Sequence, residues 1–93
     1  MDPAHEPATQ LVFRVLSEPN PECHGERHWR MPEVAARATL LRGATFTREA
    51  AGAALHKALV PQGLARAFAD SGRHCTLWCL TDEARTLRDA MRV

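Results

Sequence analysis

The stretch that decides the fold runs from residue 47 to residue 84 and reads TREAAGAALHKALVPQGLARAFADSGRHCTLWCLTDEA. Its first part, residues 47–59, repeats apolar residues at helical spacing, and Thr45 or Thr47 can cap its start. The inward stripe consists of Ala51, Ala54, Leu55, Ala58 and Leu59. Because Pro61 and Gly63 stop the pattern, the sequence predicts a helix over residues 47–59.

Two runs of strand length follow this helix. They are Leu64–Ala69 and His74–Leu80, joined by Asp70–Arg73, whose Ser-Gly step supplies the permissive backbone of a hairpin turn. The first run is rich in alanine and alternates poorly, so the prediction depends on the two runs and the turn together. Thr81 then caps a last helix with acidic residues in its first turn. One face of this helix carries Leu80, Ala84, Leu87 and Met91.

Two further helices are predicted before this stretch. Pro7 can open the first, which continues to about Ser17. Pro32 opens the second, and Gly43 suits the position after its end. The buried stripe of the second helix is expected to consist of Val34, Ala35, Ala38 and Leu41.

The remaining segments are expected to be irregular. Residues 1–6 are predicted to fray, and residues 18–30 to form a loop broken by prolines and a glycine, with 27–30 able to add a short strand. The order is helix, loop, helix, turn, helix, hairpin, helix. The sequence therefore predicts one α+β domain over residues 1–93, mostly helical, with a two-stranded hairpin before the last helix.

The positive charge is concentrated in the middle of the chain. The formal net charge is only +1 in 93 residues, of which 45% are hydrophobic. Residues 27–74, however, hold seven arginines and one lysine against three acidic residues, a local balance of +5. Arginine suits bidentate contacts with phosphate and guanine. This distribution allows a polyanion partner that the total charge does not suggest.

No run of residues approaches the roughly 18 apolar residues that span a bilayer, and the N-terminus lacks a signal-peptide pattern. A cytoplasmic location is therefore expected. Three cysteines leave one unpaired in any disulfide scheme, which fits a reducing compartment.

From Pro32 to Val93 the chain resembles winged helix-turn-helix regulators, notably MarR-like and PadR-like proteins. The resemblance lies in Leu55, Leu59, Gly63 and Leu64, then Arg66, the tip DSGR at 70–73, and LWCLTDEA at 77–84. In that family a leucine-bearing recognition helix ends at a glycine-leucine step, and a hairpin called the wing follows. This chain departs from the family at Ala84, where glycine is usual, and in its longer turn over 43–46.

The resemblance implies sequence-specific binding of double-stranded DNA by a small transcriptional regulator. The recognition helix, 47–59, would enter the major groove, which admits one α-helix, and the wing, 64–80, would lie on the backbone or in the minor groove. The expected DNA-binding residues are Arg42, Thr47, Arg48, Gly52, His56, Lys57 and Arg73.

Several of these residues have two interpretations. Arg48, at the helix start, can contact a base or phosphate, or it can be a solvated arginine. Arg73 can enter the minor groove or bind phosphate, although hairpin tips tolerate any charged residue. His56 can contact a base or phosphate, or it can be an ordinary exposed histidine. Lys57 is more consistent with a phosphate contact than with a base contact. Glu49 either accepts a hydrogen bond from cytosine or complements the helix dipole.

Metal binding and catalysis find little support in the sequence. Cys23, His24 and His28 form an incomplete ligand set. Cys75 and Cys79 would lie about 13 Å apart in one strand, at about 3.3 Å per residue, too far to share a zinc ion. Small buried cysteines are the better interpretation. No catalytic triad, phosphate loop or paired carboxylates stand out. We therefore expect no enzyme activity, no metal and no cofactor.

The expected partners are double-stranded DNA and a second copy of the chain, joined through the helix at either end of the domain, 8–17 or 82–93. Trp78 is expected in the core, and Trp29 either over the helix-turn-helix or at the dimer contact. An alternative is a winged-helix protein-interaction module, of the kind by which a phage or plasmid protein binds a host factor, without DNA binding, because a fold alone does not fix a function.

Overall fold

The protein is described by a computed structural model in which residues 7–21, 27–70, 72 and 75–91 are placed. Within this part of the chain the structure is α+β, with four α-helices and one antiparallel hairpin in the predicted order. The elements are α1 (Ala8–Leu16), α2 (Met31–Arg42), α3 (Arg48–Ala54), which continues into a π-helical turn (Leu55–Leu59, the π-turn), β1 (Ala65–Asp70), β2 (Cys75–Leu80) and α4 (Asp82–Met91).

The hairpin pairs β1 with β2 from Ala65 opposite Leu80 to Asp70 opposite Cys75. A single residue of the loop, Trp29, adds a bridge on the other edge of β2. Trp29 N–H donates to the Trp78 carbonyl at 2.9 Å, and Trp78 N–H donates back at 2.7 Å. The short strand expected at 27–30 is thus one residue long, and β2 lies between this bridge and β1.

The core is built around α1. Its four inward residues are completely buried and pack with α2, α3 and β2; they are Leu11, Val12, Val15 and Leu16. Both tryptophans belong to this core, Trp29 at 3% and Trp78 at 6% exposure. Small residues such as Ala38 and Ala51 let α2 and α3 approach each other closely. Each fully buried leucine or valine contributes about 1.5–3 kcal/mol to folding.

Some predicted details are wrong. The first strand begins one residue later than expected, at Ala65, and extends to Asp70, whereas His74, the expected start of the second strand, lies outside the described residues. The delay at β1 arises because Leu64 still belongs to the helix end, where its N–H donates to the Leu59 carbonyl at 2.9 Å. Two residues expected in buried stripes, Leu41 and Ala58, are half-buried, and Leu87 of α4 is 45% exposed.

One threonine holds the turn between α2 and α3. The Thr39 hydroxyl donates to the Ala35 carbonyl at 2.9 Å and accepts from the Phe46 N–H, also at 2.9 Å. Gly43 ends α2 in the left-handed region, with φ 75°, where glycine avoids the Cβ clash of other residues. The turn then buries Phe46, at 3% exposure, so the two helices meet at a fixed angle.

The loop between α1 and α2 is held by side-chain hydrogen bonds. The Asn20 amide, 1% exposed, donates to the His28 carbonyl at 2.9 Å and to Glu33 Oε1 at 3.0 Å. Trp29 Nε1 donates to the Glu18 carbonyl at 3.0 Å. Burial alone would raise the pKa of Glu33, but hydrogen bonds from the backbone of Arg30, from Asn20 and from the Arg30 guanidinium outweigh it, so this pKa lies below its ordinary value.

Candidate nucleic-acid interface

The first turn of α3 presents charged side chains to solvent. Thr47 is the N-cap, and its hydroxyl accepts from the Ala50 N–H at 3.1 Å. Arg48 and Glu49 follow and are exposed, and Glu49 complements the helix dipole. The inward face of α3 and the π-turn is buried and consists of Ala51, Ala54, Leu55 and Leu59. The outward face of 48–57 therefore remains free to meet a partner.

The helix does not continue as a regular α-helix to its end, as the sequence predicts. Over the π-turn the hydrogen bonds reach back five residues, and Val60 N–H donates to the Leu55 carbonyl at 2.8 Å. In an α-helix Lys57, nine residues after Arg48, would point about 180° away from it, at about 100° per residue. A π-turn advances by less per residue, so it reduces the angle between Arg48 and Lys57 only in part.

A Schellman motif ends this helix. Gly63 has φ 72°, its N–H donates to the Val60 carbonyl at 3.0 Å, and Leu64 N–H reaches the Leu59 carbonyl. The Thr81 hydroxyl donates to the Gly63 carbonyl at 2.6 Å and accepts from the Ala84 N–H at 3.2 Å. One side chain thus joins the end of α3 to the start of α4 and fixes where the hairpin begins.

His56 connects the outward face of α3 to the hairpin. Its ring packs edge-on against Trp78 of β2, with 5.0 Å between centroids and 85° between planes. This contact identifies the hairpin face that looks toward α3, because alternate strand residues share a face. On that face Ala67, Ala69 and Thr76 are exposed beside Trp78. A surface of small residues therefore lies next to the exposed side of α3.

The opposite face of the hairpin is covered. His28 of the loop packs edge-on against Phe68 with 5.0 Å between ring centroids, and the Arg66 guanidinium lies 5.7 Å from the same ring. Leu77 and Cys79 on this face are buried at 3% and 0% exposure. No residue pattern predicts this cover, because His28 and Phe68 are 40 residues apart in the chain.

Two expected site residues point elsewhere than predicted. Arg42 is half-buried, with its guanidinium 5.3 Å from the centre of the Phe46 ring, so it packs on the turn rather than projecting from it. Gly52 was expected to face outward but is half-buried, and a Cβ there would lie 3.9 Å from Met31 Cε. The reason is that Met31, at the start of α2, packs over this side of α3.

Four of the nine arginines in the described part of the chain form ion pairs with nearby carboxylates. The ion pairs, with their N–O distances, are Arg30–Glu33 at 3.4 Å, Arg37–Glu18 at 2.9 Å, Arg85–Asp82 at 3.7 Å and Arg88–Asp89 at 3.1 Å. Within the same part of the chain, Arg48 and Lys57 form no ion pair and are exposed. Arg27 and Arg66 are likewise exposed without an ion pair to another described residue, and the exposed Glu49 follows Arg48, so charge alone does not single out the α3 surface (Arg48, His56 and Lys57 with the neighbouring face of β1 and β2). The position of this surface beside the hairpin is what makes it the candidate interface.

The remaining candidate ligands and DNA contacts fall partly inside and partly outside the residues that the structure describes. Arg73, Cys23 and His24 lie outside the described residues. Cys75 and Cys79 are in one strand as predicted, both as free thiols, Cys75 half-buried and Cys79 fully buried. Their positions in β2 fit the interpretation as small apolar residues.

Comparisons with family models, with curated proteins and with solved structures give no match to this chain. Of the helices in the described residues, none has the length and apolar character to cross a lipid bilayer. The function is therefore argued from the α3 surface itself.

Proposed function

We propose that this chain is a winged helix-turn-helix protein that binds double-stranded DNA in a sequence-specific manner and regulates transcription. In this proposal α3 with its π-turn enters the major groove, and the hairpin lies on the DNA backbone or in the minor groove. The observation that carries the proposal is that Arg48 and Lys57 are exposed and form no ion pair with another described residue, on the helix that directly precedes the hairpin.

The dimensions of the helix support this arrangement. Residues 48–59 span about 18 Å at 1.5 Å per residue, and the major groove of B-form DNA is about 12 Å wide. Ala53 and the neighbouring small residues give the middle of the exposed face little bulk, so the backbone of α3 can approach the base edges. Arg48, at the N-terminal end of the helix, would make the base or phosphate contact, and Lys57 would bind phosphate.

The bridge between Trp29 and Trp78 also supports a winged-helix layout. It gives β2 a neighbour on each side, β1 on one and the segment between α1 and α2 on the other. The hairpin is thereby attached to the helices at its base, while the end carrying Gly72 projects, with Gly72 exposed. Arg73, next to Gly72 in the sequence, remains the expected contact of the hairpin with DNA.

The test measures binding of random-sequence and genomic duplex fragments by fluorescence anisotropy. We expect Arg48→Ala and Lys57→Ala each to weaken binding, and the slope of log affinity against log salt to fall by about 1 for each lost phosphate contact. The matched control is Arg85→Ala, which removes a half-buried, ion-paired arginine of α4. Equal binding by all three variants and the unaltered chain would refute the proposed surface.

A second candidate function, docking of another protein, is favoured by one observation. Leu40 on α2 is 73% exposed and borders a cavity of about 330 Å³ lined in part by Pro19, Pro21 and Trp29. Contiguous apolar patches often mark protein contacts, and Leu40 with the neighbouring prolines would contribute to one. If the α3 variants bind DNA like the unaltered chain, or if no duplex binds, this surface becomes the leading candidate.

A further inference from the structure

The cavity of about 330 Å³ beside Leu40 opens on the side of α2 that faces away from the core. The α2 residues that line it recur at helical spacing and form one stripe: Glu33, Ala36, Arg37 and Leu40. The buried residues of α2 lie on the opposite side of the helix and are Val34, Ala35 and Ala38. The cavity therefore occupies a face of α2 that the packing of the core leaves open.

The walls of the cavity are mainly apolar. Exposed Pro19 and Pro21 line it from the loop between α1 and α2, and Trp29, which is 3% exposed, lines it from the core side. Leu40 is 73% exposed, more than any other large hydrophobic residue in the described part of the chain. Because removal of such surface from water favours association, this leucine gives a partner an apolar contact beside the cavity.

The loop wall of the cavity is held in place by hydrogen bonds. The Asn20 amide binds the His28 carbonyl and Glu33 Oε1, and Trp29 Nε1 donates to the Glu18 carbonyl. The two prolines also have a fixed φ. A wall that is already ordered loses little conformational entropy when a partner binds, so the cavity is suited to binding as it stands.

The arginines around the cavity are more exposed than the carboxylates that pair with them. The Arg37 side chain is 43% exposed and that of its partner Glu18 is 30% exposed; the values for Arg30 and Glu33 are 47% and 11%. Arg37 Nε donates to Glu18 Oε2, and its two terminal amino groups form no hydrogen bond with another described residue. A partner that approaches this face therefore meets guanidinium groups first.

We propose that this cavity docks another protein through a segment that carries a bulky apolar side chain next to an aspartate or glutamate. The apolar side chain enters between Leu40 and the two prolines. The carboxylate pairs with the terminal amino groups of Arg37, since the planar guanidinium fork matches a carboxylate. The inference rests on the second candidate function given above, names the partner for it, and does not depend on DNA binding.

Nucleic acid fits this cavity less well than a protein segment does. Glu18 and Glu33 lie beside the two arginines and repel a run of phosphates, whereas one carboxylate can be placed on Arg37 alone. Phosphates also leave the apolar walls without a partner. The volume of about 330 Å³ is at the lower end of the range of about 300–1,000 Å³ for small-molecule pockets, which suits a single side chain.

The test measures binding of a short fluorescein-labelled peptide, with one phenylalanine between two pairs of glutamates, by fluorescence anisotropy. Two comparison peptides replace the phenylalanine by alanine or the glutamates by lysines. We expect the acidic phenylalanine peptide to bind the unaltered chain, and each comparison peptide to bind at least about tenfold more weakly, because one lacks the apolar anchor and the other places cations against the arginines.

Variants of the chain locate the peptide. Leu40→Ser should weaken binding of the acidic phenylalanine peptide at least about tenfold, since it removes the exposed apolar contact. Arg37→Gln should reduce the preference for glutamate over lysine at least about threefold. The matched controls are Leu87→Ser, at an exposed leucine of α4, and Arg85→Gln, at an ion-paired arginine of α4; both should bind the peptide like the unaltered chain.

A further variant separates loss of docking from loss of folding. Ala36→Gln places a longer side chain in the cavity at an exposed position of α2, and glutamine is a good helix former. This variant should also weaken binding of the peptide, with the same helical circular dichroism as the unaltered chain. The proposal is overturned if the peptide does not bind the unaltered chain, or if Leu40→Ser and Ala36→Gln both bind it as the unaltered chain does.

The remaining outcomes identify other occupants of the cavity. Binding of the lysine peptide that is lost in Leu40→Ser would keep docking as a function but overturn the acidic partner. Self-association without peptide that is lost in Leu40→Ser would assign this face to a second copy, and duplex binding lost in the same variant would assign it to DNA; both overturn the proposal. Unchanged duplex binding by Leu40→Ser supports a docking face separate from the α3 surface, whose variants test the DNA-binding function independently.

Discussion

The first and last helices, α1 and α4, are both amphipathic, but α1 is mainly apolar and α4 mainly polar, and their surroundings differ. In α1 four residues are completely buried, and the helix packs against α2, α3 and β2. In α4 the described burial is concentrated at Ala84, and the helix packs chiefly against β2. Both helices thus have an apolar face, but α1 lies at the centre of the core and α4 at its edge.

An amphipathic pattern indicates that a helix packs against a partner. The difference between α1 and α4 shows that the pattern does not indicate whether that partner lies in the same chain or in another molecule. The apolar face of α1 is covered by its own chain, whereas that of α4 leaves Leu87 partly exposed beside an open groove. Burial, rather than periodicity, therefore decides which helix stabilises the monomer and which helix offers a surface to another molecule.

The largest effect on stability is expected when one leucine is substituted in each helix and the two losses are compared. Leu16→Ala in α1 should lower the free energy of unfolding by about 2–5 kcal/mol, because it removes a fully buried side chain and leaves a cavity. Leu87→Ala should cost under about 1 kcal/mol, because that side chain is 45% exposed. Urea denaturation followed by circular dichroism measures both, and equal losses would contradict the contrast between the helices.

A smaller effect is expected at the attachment of α4. Thr81→Val removes the hydroxyl that donates to the Gly63 carbonyl and caps α4, so unfolding should become easier by about 1–2 kcal/mol. Thr86→Val is the control, since its hydroxyl donates to the Asp82 carbonyl within α4 itself. If both variants lose the same stability, Thr81 does not hold α4 to the end of α3.

The smallest effect depends on pH and concerns the loop that follows α1. The pKa of Glu33 is lower in the folded chain than its ordinary value of 4.5, so ionised Glu33 favours the folded state. This contribution is complete above the pKa of the unfolded chain and is lost as pH falls through the lower pKa of the folded chain. Glu33→Gln should therefore be less stable than the unaltered chain near neutral pH, and the gap should close in acid. A gap that is constant with pH would show that the charge of Glu33 has no part in stability.

The candidate site was predictable only in part. The cap at Thr47, the exposure of Arg48, Glu49 and Lys57, and the hairpin that follows all agree with expectations from the sequence. The placement of Gly52 against Met31 and of Arg42 on Phe46 did not follow from the sequence, because each depends on a neighbouring element. The π-turn did not follow from the sequence either, because no residue pattern in 55–59 predicts it.

The sequence by itself determined where the helices begin and end. The helix ends are set by two threonine caps, Thr47 and Thr81, and two left-handed glycines, Gly43 and Gly63. These residues act through backbone groups a few residues away, so their effect can be predicted from the local sequence. Only the tertiary structure decided which faces are covered: Trp29 on β2, His56 on Trp78, His28 on Phe68, and the open groove beside Leu87. The reason is that these contacts join residues distant in the chain, and burial depends on the neighbours that packing brings together rather than on the residues next in sequence.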